Sequence, residues 1–289
     1  MLIITPKKFG LCNLNRRFFN QLRIQKKQTM KKFQSITKSI LLAGALSAGL
    51  FACIGESSDQ LTIVTPATGA RVKFHHMVSD GPGVSILVND RQFSGVLTVA
   101  PASPGVITYG NIYPAVDYAT IDAGSVKVEV VVPASGTSQQ VSLLTGTVPL
   151  EANKYYSVFA VGSAATATLE PLVVEDKLTP ADTSKAYFRV VNTIVNATTG
   201  YDVGYNGTYA PAMTNIGYKK ASDFVAITPT PTGGAALPVQ VRVNGTTTNL
   251  APTTFTLAPI KGRFYTIVLR GRVGGTGTQA LTIGAIANR

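Results

Sequence analysis

Val126-Lys127-Val128-Glu129-Val130-Val131-Val132 is the stretch from which the fold can be read. Valine recurs at every second position from Val126 to Val132, with Lys127, Glu129 and Val131 between. A period of two puts the even-numbered valines on one face of a β-strand and the odd positions on the other. β-Branched side chains suit such a pleated, half-buried surface. Pro133 stops the strand, and Ser135-Gly136 supplies the turn after it.

The same kind of pattern extends in both directions. Upstream, residues 71–78 and 84–88 read as strands, the second closed by Asn89-Asp90. Downstream, 141–148, 155–161 and 167–174 are further strand candidates. About seven short strands separated by turn signals predict an antiparallel sandwich over residues 70–174. Residues 175–185 are charged, contain Pro180 and have little to bury, so they read as a linker. The remainder, 186–289, repeats the first unit in order. Phe188-Arg189-Val190 echoes Val72-Lys73-Phe74, and 201–207 echoes 84–90 with Asn206-Gly207 as its hairpin turn. Asp223-Phe224 echoes Asp117-Tyr118, and Phe264-Tyr265-Thr266 echoes Tyr155-Tyr156-Ser157. Val239, Val241 and Val243 form the second alternating strand. An internal repeat of this length predicts duplicated domains. The fold class is therefore all-β: two tandem antiparallel β-sandwich domains, immunoglobulin-like or transthyretin-like.

A leader precedes them. Met30-Lys31-Lys32 begins a short basic segment, and 40–52 is an apolar run too short to span a bilayer comfortably. This is the layout of a secretory signal peptide over 30–52. Leu50-Phe51-Ala52-Cys53 resembles a bacterial lipobox, which implies lipidation at Cys53. Residues 53–69 then form a flexible tether. Residues 1–29 are basic and free of acids, as an organelle transit peptide would be. They are better read as an extension upstream of the true start at Met30.

The first unit also resembles the bacterial family called domain of unknown function 4397. The residues that carry this are Ala70-Arg-Val-Lys-Phe-His-His76, Asn89-Asp90, Tyr118-Ala-Thr-Ile-Asp-Ala-Gly124 leading into Val126, and Tyr155-Tyr156-Ser157-Val158. The second unit keeps the order but lacks the Ala-Gly step, with Thr228 to Leu237 in its place. The resemblance implies sandwich domains of exported, anchored proteins. It implies no activity, so no functional residue carries over.

Charge and chemistry narrow the function. The net charge of +12 comes from the N-terminal region. Ten of the 26 Lys/Arg and none of the 14 acids lie in residues 1–52, leaving 16 basic against 14 acidic residues. The rest is nearly neutral and carries no nucleic-acid footprint. Cys12 and Cys53 are the only cysteines, so no disulfide or zinc–thiolate site is expected beyond the leader. His75 and His76 are the only histidines. As neighbours on a strand they point to opposite faces and cannot readily share a metal. They read instead as half-buried strand residues. Asp117, Asp122 and Glu129 lie close in sequence, but Asp117 recurs as Asp223, which points to turn capping. No Gly-x-Ser-x-Gly elbow is present. Tyr113, Tyr205 and Tyr209 are the candidate ligand contacts, since tyrosines at loops and strand ends can stack on sugars or anchor protein contacts.

The expectation is a non-enzymatic, lipid-anchored cell-envelope protein, acting in binding, adhesion or as a structural spacer. No cofactor, metal or nucleic acid is expected. Its partners would be the membrane, through the anchor, and envelope proteins or glycans. Its place would be the outer membrane of a diderm bacterium, on the periplasmic face or the cell surface. The alternative is a glycan-binding accessory lipoprotein of an outer-membrane uptake system.

Overall fold

The computed structural model describes residues 68–94, 105–229, 235–250 and 255–289. The expectations for 1–29, 30–52 and Cys53, and for all but the last two residues of the tether, lie outside these segments.

The first half runs β1 (Ala70–His76), β2 (Ser85–Val88), β3 (Arg91–Gln92), β4 (Ile112–Tyr113), β5 (Ala119–Ile121), β6 (Gly124–Val132), β7 (Val141–Leu150), β8 (Tyr155–Val161) and β9 (Glu170–Glu175). The second runs β10 (Ala186–Asn192), β11 (Tyr201–Tyr205), β12 (Lys220–Ala221), β13 (Val225–Ile227), β14 (Leu237–Val243), β15 (Thr256–Leu257), β16 (Phe264–Arg270) and β17 (Thr282–Ala287). The described fold is thus all-β, with two short 3₁₀ turns.

Each half contains one sheet built around a long central strand. In the first, β1 pairs with β4 and β5 along one edge and with β8 along the other, and β9 follows β8. In the second, β10 pairs with β12 and β13, then β16, then β17. The registers match, with Arg71 opposite Tyr155 and Tyr187 opposite Phe264. A smaller sheet faces each of these, in the orders β3-β2-β6-β7 and β11-β14-β15. The cores lie between. Val72, Phe74, Val128 and Val158 help fill the first, and Phe188, Val190, Val241 and Ile267 the second.

Two details differ from the sequence reading. The pairs β1–β8 and β10–β16 are parallel, whereas an antiparallel arrangement was expected throughout. These four strands are buried on both faces, the usual condition of parallel strands. The valine alternation in β6 holds through Val130, but Val131 is buried and Val132 only half-buried. The cause is a bulge between Val130 and Val131, where Leu143 of β7 is left without a partner.

The hairpin turns follow their chemistry. Asn89 and Asp90 adopt φ of 49° and 65°, and Asn206 and Gly207 adopt 49° and 78°. Asn, Asp and Gly tolerate this left-handed region, which two-residue hairpins require. Across Asn206-Gly207, Tyr205 and Thr208 exchange backbone hydrogen bonds of 2.9 and 3.0 Å.

Candidate functional site

The strands β1, β8, β10 and β16 each turn one face to their own core. The other face carries Lys73, His75, Ser157, Arg189 and Thr266, polar residues that alternation alone would assign to solvent. All are buried, because the two five-stranded sheets cover one another. Two apolar clusters flank the polar residues, each drawing on both halves. Met77, Phe159, Val191 and Val268 form one, and Leu178, Tyr187 and Phe264 the other.

The polar centre is an ion pair between Arg189, 1% exposed, and Asp176, 2% exposed. A buried carboxylate is costly unless its oxygens are satisfied. Here Tyr118 Oη donates to Asp176 Oδ2 at 2.5 Å and Ser157 Oγ at 2.8 Å. Arg189 spends its other donors on Thr266 Oγ1 at 2.9 Å and Glu175 O at 3.2 Å. Thr266 Oγ1 donates to Asn288 Oδ1 at 2.6 Å, and Asn288 Nδ2 donates to Tyr118 Oη at 2.9 Å. The network therefore closes on itself across both halves.

A pseudo-two-fold relation underlies it. Lys73 and Arg189 hold the same position in the two sheets, as do Ser157 and Thr266, by the registers of β1–β8 and β10–β16. Tyr118 matches Phe224, each one residue before the strand that pairs with the central one. Asp176 matches Asn288, since Asp176 N donates to Tyr155 O and Asn288 N to Phe264 O. Each cation reaches the far half's carbonyl: Arg189 to Glu175 O, and Lys73 Nζ to Ala287 O at 3.2 Å. Each also sits over its own half's ring, Lys73 on Tyr118 at 4.7 Å and Arg189 on Phe224 at 4.8 Å.

Burial shapes the titration of these groups. It lowers the Lys73 ammonium, an effect opposed by Asp117 and Asp176. It pushes His75 well below 6.5, with Arg189 and Lys73 adding to the shift. It raises the Tyr118 hydroxyl, reinforced by the charge of Asp176 and the hydrogen bond to it. Neutral His75 stacks on Phe159 at 4.2 Å, and neither ring nitrogen has a hydrogen-bond partner.

The residues singled out from the sequence fall as follows. His75 and His76 are fully buried, not half-buried: the second half covers the face of β1 that carries His75, and His76, on the opposite face, is buried within its own half. His76 Nε2 lies 2.9 Å from Pro82 O. Burial lowers its pKa, opposed by that carbonyl. Asp117 accepts from Tyr118 N at 2.9 Å and Asp122 is exposed. Glu129 lies on the exposed face of β6, 3.1 Å from Lys127 Nζ. Tyr113 packs edge-on against Phe93 beside the first core. Tyr205 is 6% exposed in the second core and donates to Leu257 O. Tyr209 has Arg242 on its ring at 3.8 Å, and its hydroxyl donates to Asn249. Gly204 lies so close that a β-carbon there would meet the Tyr209 ring at 2.9 Å. Tyr205 is buried, whereas Tyr113 and Tyr209 are half-buried. Asp176 and Leu178, in the stretch read as having little to bury, are both buried. Nothing in their local pattern signals this, because the surface that covers them comes from the other half.

Among the described residues, no group of three or more His, Cys, Asp or Glu side chains is placed to hold a metal.

Residues 70–199 match the model of the family described as Domain of unknown function (DUF4397). No curated protein matches the chain. A solved structure of a candidate cell adhesion protein from Bacteroides fragilis is 11% identical, over 76% of this chain and 98% of its own, at a TM-score of 0.19. A similarity at that level carries no inference about fold or role.

Proposed function

We propose that this chain, in which residues 70–199 match the model of a family of unknown function, is a non-enzymatic envelope protein in which two β-sandwiches form one rigid body for display. It is tethered through lipidated Cys53 to the outer membrane of a diderm bacterium, and it binds or spaces partners outside that membrane.

The observation that carries this reading is the closed polar network between the halves. Asp176, Arg189, Ser157, Thr266, Asn288 and Tyr118 satisfy one another, so these groups are committed to holding the halves together. A catalytic site needs a reactive group with access to substrate. Here Lys73, His75, Asp176 and Arg189 are buried between two sheets. The alternative of glycan capture rests on exposed ring faces; Tyr205 is buried, and Tyr113 and Tyr209 are half-buried against Phe93 and Arg242.

The experiment is fractionation of cells expressing the wild-type chain and Cys53→Ser, with intact-mass analysis of both. The reading expects an acylated wild-type protein in the membrane fraction and a folded, soluble variant. Membrane retention of Cys53→Ser overturns the anchor.

A further inference from the structure

The pseudo-symmetry exposes a place where the two halves differ in charge. Lys154 and Arg263 are equivalent, since Arg71 N donates to Lys154 O and Tyr187 N to Arg263 O. Lys154 is paired with Glu151 at 2.8 Å and Glu175 at 3.4 Å. The matching positions in the second half are Ile260 and Ala287. Glu151 N and Ile260 N each accept the same local role, donating to Tyr156 Oη and Tyr265 Oη, and Glu175 and Ala287 face Tyr156 and Tyr265. Both counter-charges are thus missing around Arg263. Among the described residues neither it nor Lys261 nor Arg289 forms an ion pair.

These cations border two adjoining grooves of about 570 and 540 Å³, which share Arg263 and Arg289. The larger groove runs between two strand edges. One wall is the β4 region, with Ile112 and Val116, the latter 87% exposed; the other is β17 from Ala285 onward. β4 and β17 are the terminal strands of their sheets, and no described strand lies beyond them. Asn288 N donates to Phe264 O beside the Tyr265–Ala287 pair, which makes that pair the non-hydrogen-bonded kind. The ladder alternates. The N–H and C=O of Ala285 and Ala287 therefore point away from β16, toward the groove. Lys73 takes Ala287 O, while Ala285 has both groups free. Asp117, on the β4 side, is the one acidic side chain in the groove's lining.

We infer that this groove takes an extended acidic peptide from a partner protein, added as a strand to the free edge of β17. Its backbone pairs with Ala285, its apolar side chains lie against Ile112 and Val116, and its carboxylates meet Arg263 and Arg289. Main-chain pairing supplies affinity in such strand addition, and alternate side chains supply specificity. The inference deepens the binding side of the proposed function and rests on it.

The test uses the full chain in detergent and a fluorescein-labelled peptide of alternating glutamate and valine, read by fluorescence anisotropy at low salt. Saturable binding is expected, weakened about tenfold or more in Arg263→Gln and unchanged in Lys154→Gln. The same peptide N-methylated at alternate residues cannot pair as a strand and should lose binding, with no change to the protein. Ala285→Pro should do likewise, since proline is tolerated where the N–H points out of the ladder. Absence of saturable binding overturns the inference. So does N-methylated peptide or dextran sulfate binding equally well, since either result marks a site that reads charge alone. Failure here, with Cys53-dependent attachment intact, removes the groove and leaves the anchored display reading standing.

Discussion

The two halves share a backbone plan and differ in the charges laid upon it. Both build a sheet on a parallel central pair with the same register. Main-chain ladders and apolar cores tolerate wide substitution, as Val72 opposite Phe188 shows. The cations and hydroxyls match, Lys73 with Arg189 and Ser157 with Thr266, but the acids do not. Asp176 corresponds to Asn288 across the pseudo-two-fold, so one half supplies an ion-paired carboxylate where the other supplies an amide. Two buried Asp–cation pairs would desolvate four charges, and one pair with an amide desolvates fewer. At the rim the first half keeps its glutamates around Lys154, and the second leaves Arg263 unpaired. The difference teaches where each charge is used: the buried one to join the halves, the exposed ones to meet a partner.

The largest expected effect breaks the join. Asp176→Ala leaves the Arg189 guanidinium uncompensated beneath two sheets and should destabilise the fold by about 3–5 kcal/mol, measured by urea denaturation. Asn288→Ala, the equivalent change in the second half, removes hydrogen bonds to Tyr118, Thr266 and Asp176 but strands no charge, and should cost about 1–3 kcal/mol. Equal losses would show that the asymmetry has no energetic meaning.

A pH series sharpens the same comparison, because His75 matches Val191 and the second half has no titrating group there. The folded state holds His75 well below 6.5, through burial and then Arg189 and Lys73. The unfolded chain therefore binds the extra proton first, so stability is complete above about pH 6.5 and falls as pH drops below it. His75→Phe keeps the stack on Phe159 and should flatten the melting temperature between pH 7 and pH 5. His76, also lowered by burial, accounts for the slope that remains.

The smallest effect concerns the hairpins. Gly207 sits at φ 78°, and its counterpart position in the first half is Asp90 at 65°. Gly207→Ala should cost about 1–2 kcal/mol in thermal melts. Gly207→Asp should cost less, because the first half already accommodates aspartate there.

Much of the scaffold was legible from residues. The valine alternation in β6 and β14 located the core faces, and Asn89-Asp90 and Asn206-Gly207 located their hairpins. The echo of Phe188-Arg189-Val190 with Val72-Lys73-Phe74 aligned the central strands as the registers do. The polar centre was not legible. A period of two says that Lys73, His75 and Arg189 share a face opposite the core, but not what covers that face. His75 read as half-buried, and the charged stretch with Asp176 read as having little to bury. Both impressions come from local sequence, whereas the burial comes from the other half of the chain. Packing within one half was hidden as well. Tyr209 looks exposed in a loop until Arg242 and Gly204 are placed on its two sides.

Differential scanning calorimetry of residues 53–289, with and without Asp176→Asn, tests most directly whether the network joins the halves into one body. The wild-type protein should melt in a single transition whose calorimetric and van't Hoff enthalpies agree. Asp176→Asn should lower that transition and split it into two. Two separate transitions in the wild type, unmoved by Asp176→Asn, would contradict the account.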